Sequence, residues 1–440
     1  MIRKWLKPSL LILGLSIGIN TTYAQEKEGK VISVDELFSL VKENHPSLKV
    51  YQSDIEIAKQ NVEVAKNQML PEISVGLQGY YLGDAHVIDK DFSNATRVDM
   101  PNFGNKFSVE ARQLIWKGGA VRNAIAIQDL RKDLAKLNYD GNELNIKILV
   151  LGYYMDLYKL YNQVAVYEKN IELAEQRLAN IRKFNDQGMV TKNDVIRGEL
   201  QLSNLKLALN VVNNNQDIIN KQLTVALGLD SDVKIVPDTN ILNFSKQVEP
   251  LMYYMDAISN HPTIRMVEKS VNIYETAEKI SRSEMMPALS AFGGNTLQRP
   301  ITSSSPAVDM YTNGWSAGLS LNFNVDALFK APKKVQLNRI EHEKARHQVD
   351  EVNQMLEVGV NAAFIKYHES LTQNNTLKVN KDLSEENYRI MESKYNNHLA
   401  ILLDLIDASN AKLDAELQYA NSEINIAFSY YKLQKESGLL

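Results

Sequence analysis

The chain has 440 residues, 44% of them hydrophobic and 23% charged, with only 11 Pro and 20 Gly. That composition excludes a disordered polymer and allows one large or two modest folded domains. The formal net charge of −4 does not suit nucleic acid, whose phosphates demand a basic footprint. The absence of cysteine excludes thiolate metal sites, disulfide frameworks, cysteine nucleophiles and a cysteine-borne lipid anchor.

The first segment, residues 1–24, reads as an export signal. Arg3, Lys4 and Lys7 precede a short apolar core at residues 10–19, and Thr22 and Ala24 place small residues before Gln25. That core is too short to cross a bilayer, which takes about 20 apolar residues, and no other run of the chain is longer. Removing residues 1–24 takes away those three basic residues and no acidic one, so the net charge becomes −4 − 3 = −7.

A helix then ends near His45-Pro46, because proline removes a donor and disfavours helix at the residue before it. Two alternating stretches follow. Ile73, Val75, Leu77 and Tyr81 alternate with Ser74, Gly76 and Gln78, and Phe107, Val109 and Ala111 with Ser108, Glu110 and Arg112. Next come two long helical segments. The first carries a three-four apolar spacing at Ile146, Val150, Tyr153, Leu157, Leu160, Val164, Tyr167, Ile171, Ala174, Leu178 and Ile181, the seam of helices in coiled-coil contact. Over residues 121–183 it would run about 90 Å, too long for a compact domain. Its partner keeps the spacing at Leu202, Leu205, Leu209, Val212, Gln216, Ile219, Leu223 and Ala226.

The second half repeats the first. His45-Pro46-Ser47-Leu48 returns as His261-Pro262-Thr263-Ile264, and Leu70-Pro71 as Met286-Pro287, both 216 residues on. Two proline motifs at one offset indicate a two-fold duplication, with a period too long for a solenoid. The alternation recurs at Trp315, Ala317, Leu319, Leu321 and Phe323, while Gly293 and Gly294 blur the stretch over residues 288–297. The last long segment has its seam at Ile406, Asn410, Leu413, Leu417, Ala420, Ile424, Ala427 and Tyr431.

Alternation of this kind fits a half-buried soluble sheet and equally a transmembrane barrel strand. Four strands cannot close a barrel, and lipid does not tolerate an open edge. A membrane reading therefore requires several chains to contribute to one barrel.

Other motifs carry no chemistry. His342 and His347 are five apart, which turns them ~140° from each other on a helix, and the zinc-protease motif needs a spacing of four. His45 and His261 flank prolines at equivalent places, a turn feature. No catalytic, cofactor-binding or metal-binding set is expected.

The ordered set of Ile32-Ser33-Val34-Asp35-Glu36-Leu37, Asn44-His45-Pro46, Leu70-Pro71, Leu227-Gly228-Leu229 and Ser437-Gly438-Leu439-Leu440 resembles the outer-membrane efflux protein (TolC-like) family across nearly the whole mature chain. The resemblance implies a mainly α fold with a β-barrel part, built from a duplicated strand-strand-helix-helix unit. It implies a homotrimer whose 12-stranded outer-membrane barrel is continued by a 12-helix periplasmic α-barrel. The units expected are residues 1–24 (signal peptide), 25–245 (first repeat) and 246–440 (second repeat). The implied function is a passive duct of a tripartite efflux or type I secretion system, in the Gram-negative outer membrane and its lipid. Its implied partners are a periplasmic adaptor (membrane fusion protein) and an inner-membrane transporter of resistance-nodulation-division or ABC type.

The resemblance also places the periplasmic entrance at the helix turns, with Asp194 near Gly188 and with Tyr395, Asp404 and Asp407 in the second turn. Asp404 and Asp407 are three apart and share a helix face, so a trimer would carry a ring of six carboxylates that favours cations. Ala400 stands where the family often has a basic residue and His398 where it usually has glycine, leaving an Asp194–Tyr395 hydrogen bond as the expected tie across the tip. The competing classes are a periplasmic coiled-coil structural or adaptor protein, and an exported enzyme, for which no constellation speaks.

Overall fold

A computed structural model describes residues 29–243, 248–303 and 307–440. The expected export signal, residues 1–24, lies outside the described residues. In chain order the elements are β1 (Lys30–Ile32), α1 (Val34–Asn44), α2 (Pro46–Lys66), β2 (Glu72–Tyr81), β3 (Ala85–Ile88), β4 (Ala95–Val98), β5 (Phe103–Trp116), α3 (Ala120–Asp186) and α4 (Lys192–Leu227). After these come β6 (Ile235–Pro237), α5 (Leu251–Ala257), α6 (Pro262–Ser283), β7 (Ala288–Arg299), β8 (Thr312–Asn322), α7 (Ala327–Asn396) and α8 (Leu402–Glu436).

The proline motif starts a helix as well as stopping one. α1 ends at Asn44, and His45 then caps α2: its Nδ1 accepts the Ser47 N–H at 3.3 Å while Pro46 takes the first helical position. His261 repeats the device for α6, accepting from Thr263 N–H at 3.2 Å. A cap acceptor followed by proline satisfies an orphan donor and presets the first turn. Each half therefore carries two helices ahead of its strands, where the sequence reading assigned one.

The helices α3 and α7 hold 67 and 70 residues, on the order of 100 Å each. Shorter helices line up beside them in pairs. Near the sheet the order is α2–α3–α6–α7, and at the far end α4–α3–α8–α7. The pairs meet end to end at glycines. Gly228 closes α4 with φ 66°, and a Cβ there would come 2.8 Å from that of Asn44. Gly438, after α8, has φ 77° and would meet His261 Cδ2 at 3.0 Å. Both positions demand the left-handed conformation and a close approach, and only glycine supplies both.

The largest apolar core surrounds these joints. Leu37, Val41 and Leu48 pack with Val150, Leu151, Tyr154, Met155 and Leu157 of α3 and with Leu223, Leu227, Ile424 and Ala427. A two-stranded parallel sheet, β1–β6, is tied into it. The Tyr154 hydroxyl donates to Ile32 O at 2.5 Å and accepts from Asp238 N–H at 2.7 Å.

The four expected strands form one antiparallel sheet in the order β2–β5–β7–β8. β7 is paired on both sides over its length, despite Gly293 and Gly294. The β2–β5 connection adds the hairpin β3–β4. Among the described residues, no helix is long and apolar enough to cross a membrane.

Candidate functional site

The two remote turns are built alike, 210 residues apart. In the first, Gly188 adopts φ 72° and Met189 N–H reaches back to Phe184 O at 2.8 Å. Thr191 then caps α4: its hydroxyl accepts the Asp194 N–H at 3.3 Å, while the Asp194 carboxylate accepts from Thr191 N–H at 2.9 Å and from its hydroxyl at 2.8 Å. In the second, His398 adopts φ 61° and Leu399 N–H reaches Lys394 O at 2.8 Å. Asp404 accepts the Ile401 N–H at 3.3 Å, but Ile401 has no oxygen to complete the reciprocal bond. A left-handed histidine costs on the order of 1–2 kcal/mol. Its ring meets Phe184 of the other turn edge-on at 5.7 Å, a contact that offsets part of this and joins the two tips.

Under the tips lies a small apolar cluster of Leu178, Ile181, Val195, Tyr388, Tyr395, Leu402 and Leu405. Tyr395 is buried there, and burial, followed by the Asp194 charge, pushes its hydroxyl above the ordinary tyrosine range. Among the described residues the hydroxyl has no hydrogen-bond partner, and the Asp194 carboxylate is committed to Thr191. The expected Asp194–Tyr395 hydrogen bond is therefore not made, because the helix cap claims the carboxylate first. Asp404 and Asp407 are both exposed on the first turns of α8.

Bordering this cluster, a single side chain joins four helices. Arg177 of α3 is buried and donates to Gln201 of α4 at 3.0 Å, to the Tyr388 hydroxyl of α7 at 3.0 Å and to Ser409 of α8 at 3.2 Å. Tyr388 in turn donates to Glu392 at 2.7 Å. Lys412 of α8 lies 4.7 Å from the Tyr388 ring centre, and Glu416 accepts from Asn170 of α3 at 3.0 Å. The sequence seam for α8 ran through Ile406, Asn410, Leu413 and Leu417. In the chain, the buried line of its lower half is Leu405, Ser409, Lys412 and Glu416. Periodicity analysis rewards apolar positions, and this seam is polar. The legible signal was a charged residue beside the α3 seam, Arg177 next to Leu178.

The sheet forms the second part of the site. Its register puts Ile73, Val75, Leu77, Phe107, Val109, Leu297, Trp315, Leu319 and Leu321 on one face. The other face carries Ser74, Gln78, Lys106, Glu110, Arg112, Thr296, Ser316 and Asn322. Nothing among the described residues covers the apolar face: Leu77 is 83% and Trp315 79% exposed. Among the described residues, the outer edges, β2 and β8, have no strand beyond them.

Comparison with known proteins bears on both parts. The outer membrane efflux protein BepC of Brucella suis biovar 1 (strain 1330) is 21% identical over 409 residues, covering 91% of this chain and 84% of its own. The outer membrane protein VceC of Vibrio cholerae superposes with a TM-score of 0.74 at 12% identity, covering 92% of this chain and 96% of VceC. The Neisseria gonorrhoeae MtrE outer membrane channel, in its open state, gives 0.72 at 14% identity, covering 92% and 88%. The fold is that of the TolC-like outer-membrane channels. The profile of the family described as "Outer membrane efflux protein" matches residues 37–229 and 253–438, so the chain belongs to the outer membrane efflux protein family.

Proposed function

We infer that three copies of this chain assemble into one conduit that passes solutes across the outer membrane without transforming them. One observation carries the reading: a four-stranded sheet with two free edges and an uncovered apolar face. In water that face would be a large adhesive patch. In lipid it is the outward band of a barrel, provided neighbours close the edges. Three copies would give 3 × 4 = 12 strands.

The helices support the same assembly. On one flank α2 exposes Val50, Ile57 and Val64, and α4 exposes Leu200, Leu207, Val211, Ile218 and Val225. On the other, α7 exposes Val358, Ile365, Val379, Leu383 and Ile390. These apolar stripes recur at fours, sevens and once at fourteen along the two outermost helical edges, the heptad spacing that packs helix on helix. Each flank of one copy would meet the opposite flank of the next, giving twelve long helical lines below twelve strands.

The tips then form the periplasmic entrance, with Asp404 and Asp407 lining it and Asp194 and Tyr395 bracing it. A periplasmic adaptor would seat on the helices and an inner-membrane pump of resistance-nodulation-division or ABC type would supply cargo. A non-transporting periplasmic coiled-coil protein would have no use for the bare apolar face. Purification tests this: the reading requires a detergent-dependent, heat-modifiable trimer that conducts ions in planar bilayers, and a water-soluble monomer ends it. Asp404→Ala with Asp407→Ala should reduce cation preference in those bilayers, and unchanged selectivity would remove the ring.

A further inference from the structure

On the polar face of the sheet, three large side chains each stand directly opposite a glycine of the next strand. Tyr80 of β2 pairs with Gly104 of β5, Glu110 of β5 with Gly294 of β7, and Phe292 of β7 with Gly318 of β8. In every case the side chain lies over its glycine. A methyl group at Gly318 would sit 3.0 and 3.2 Å from Phe292 Cζ and Cε1, one at Gly294 would sit 2.9 Å from the Val109 carbonyl oxygen and 3.3 Å from Glu110 Cγ, and one at Gly104 would collide with the Tyr80 ring. All three lean the same way, from β2 towards β8, so each of the three strand pairs carries one such seat.

We propose that Gly104, Gly294 and Gly318 set the bore of the conduit by giving Tyr80, Glu110 and Phe292 a place to lie flat against the wall. This rests on the reading of the polar face as the water-filled interior. A side chain on a strand otherwise stands roughly perpendicular to the sheet, which here means towards the axis. Aromatic rings laid over cross-strand glycines also cover bare backbone, so the arrangement keeps the wall both thin and packed. Phe292 is the informative case. It borders a depression of about 410 Å³ shared with Glu110, Arg112, Ser316 and Asn322, in the row Glu72–Arg112–Phe292–Gly318 near the helical end of the sheet. With three copies, three such rings would share that level.

The chain contains no cysteine, so Asn322→Cys places a single thiol on the helical side of the Phe292 row. Assembled trimers in liposomes are treated from the extracellular side with a small cationic methanethiosulfonate and with a bulky dye maleimide. Gly318→Leu should abolish labelling by the maleimide and leave the small reagent's rate unchanged, and adding Phe292→Ala should restore it. Phe292→Ala alone should change neither rate, because the ring already lies aside. Gly318→Ala, a milder change, should slow the maleimide if Gly318→Leu prevents assembly. Unchanged maleimide labelling in both glycine variants, or faster labelling in Phe292→Ala alone, overturns the seats. If neither reagent reaches Asn322→Cys in the parent chain, the interior reading itself fails.

Discussion

His261 shows how one side chain can be both cap and wedge. It caps α6 through Nδ1 and fills the joint against Gly438. Burial, and next the nearby Lys435 ammonium, push its imidazole below the ordinary histidine value of 6.5, with Glu436 opposing. A depressed native pKa means the unfolded chain takes up the proton first. Stability is therefore whole above about pH 6.5 and falls as the solution is acidified below it. His261→Asn keeps a cap acceptor but cannot titrate. Its melting temperature should fall less than the wild type's on going from about pH 7.5 to about 5.5, and parallel slopes would show that the joint is indifferent to charge. Arg177 acts at the same scale. Arg177→Met leaves three polar partners behind, each worth about 1–3 kcal/mol if it stays buried and unpaired. Protease cleavage in the turns at residues 187–191 and 397–401 should quicken, whereas an unchanged digestion rate would mean the four-helix tie is slack.

Among the elements, the paired turns are a natural experiment in capping. Thr191 completes a box with Asp194, and Ile401 leaves Asp404 with one bond where its counterpart has three. Ile401→Thr should stabilise the second tip by ~1 kcal/mol, seen as a higher unfolding midpoint for the α7–α8 hairpin. No gain would place the cap in contact with something the lone chain lacks. Here the sequence was legible to different depths. Strand alternation located all four strands of the main sheet. α2 and α6 were missed because His-Pro reads locally as a stop, while capping depends on which way the imidazole turns. The Asp194–Tyr395 bond that the resemblance implies is not made for a related reason: the Thr191 cap takes up the carboxylate. The polar seam of Ser409, Lys412 and Glu416 was invisible to any method that follows apolar residues alone.

At the scale of the whole molecule, the chain is a slab with two unfinished flanks, one of α2, α4 and β2 and the other of α7 and β8. For the trimer proposed above, Leu207→Glu on the first flank should leave the helical hairpin intact and prevent assembly, giving monomers on gel electrophoresis without heating. Trimers as resistant as the wild type would put the contact elsewhere. The duplicated order, the four strands of the main sheet and the helix lengths were readable from residue order, whereas the short β1–β6 and β3–β4 pairs were not. The flanks were not, because a stripe exposed in one copy and a stripe buried inside it follow the same periodicity.

The seam between α3 and α8 changes character along its length, and that has a mechanical consequence. Towards the sheet it is closed by Leu151, Met155, Ile424 and Ala427, whose separation would expose oil to water. Further along it is held by Arg177, Ser409, Asn170 and Glu416, whose bonds water can replace one for one. At the tips it is closed again by Leu178, Ile181, Leu402 and Leu405. The two helices are therefore clamped by oil at both ends around a hydrophilic waist, and it is at that waist that solvent can enter before either clamp lets go.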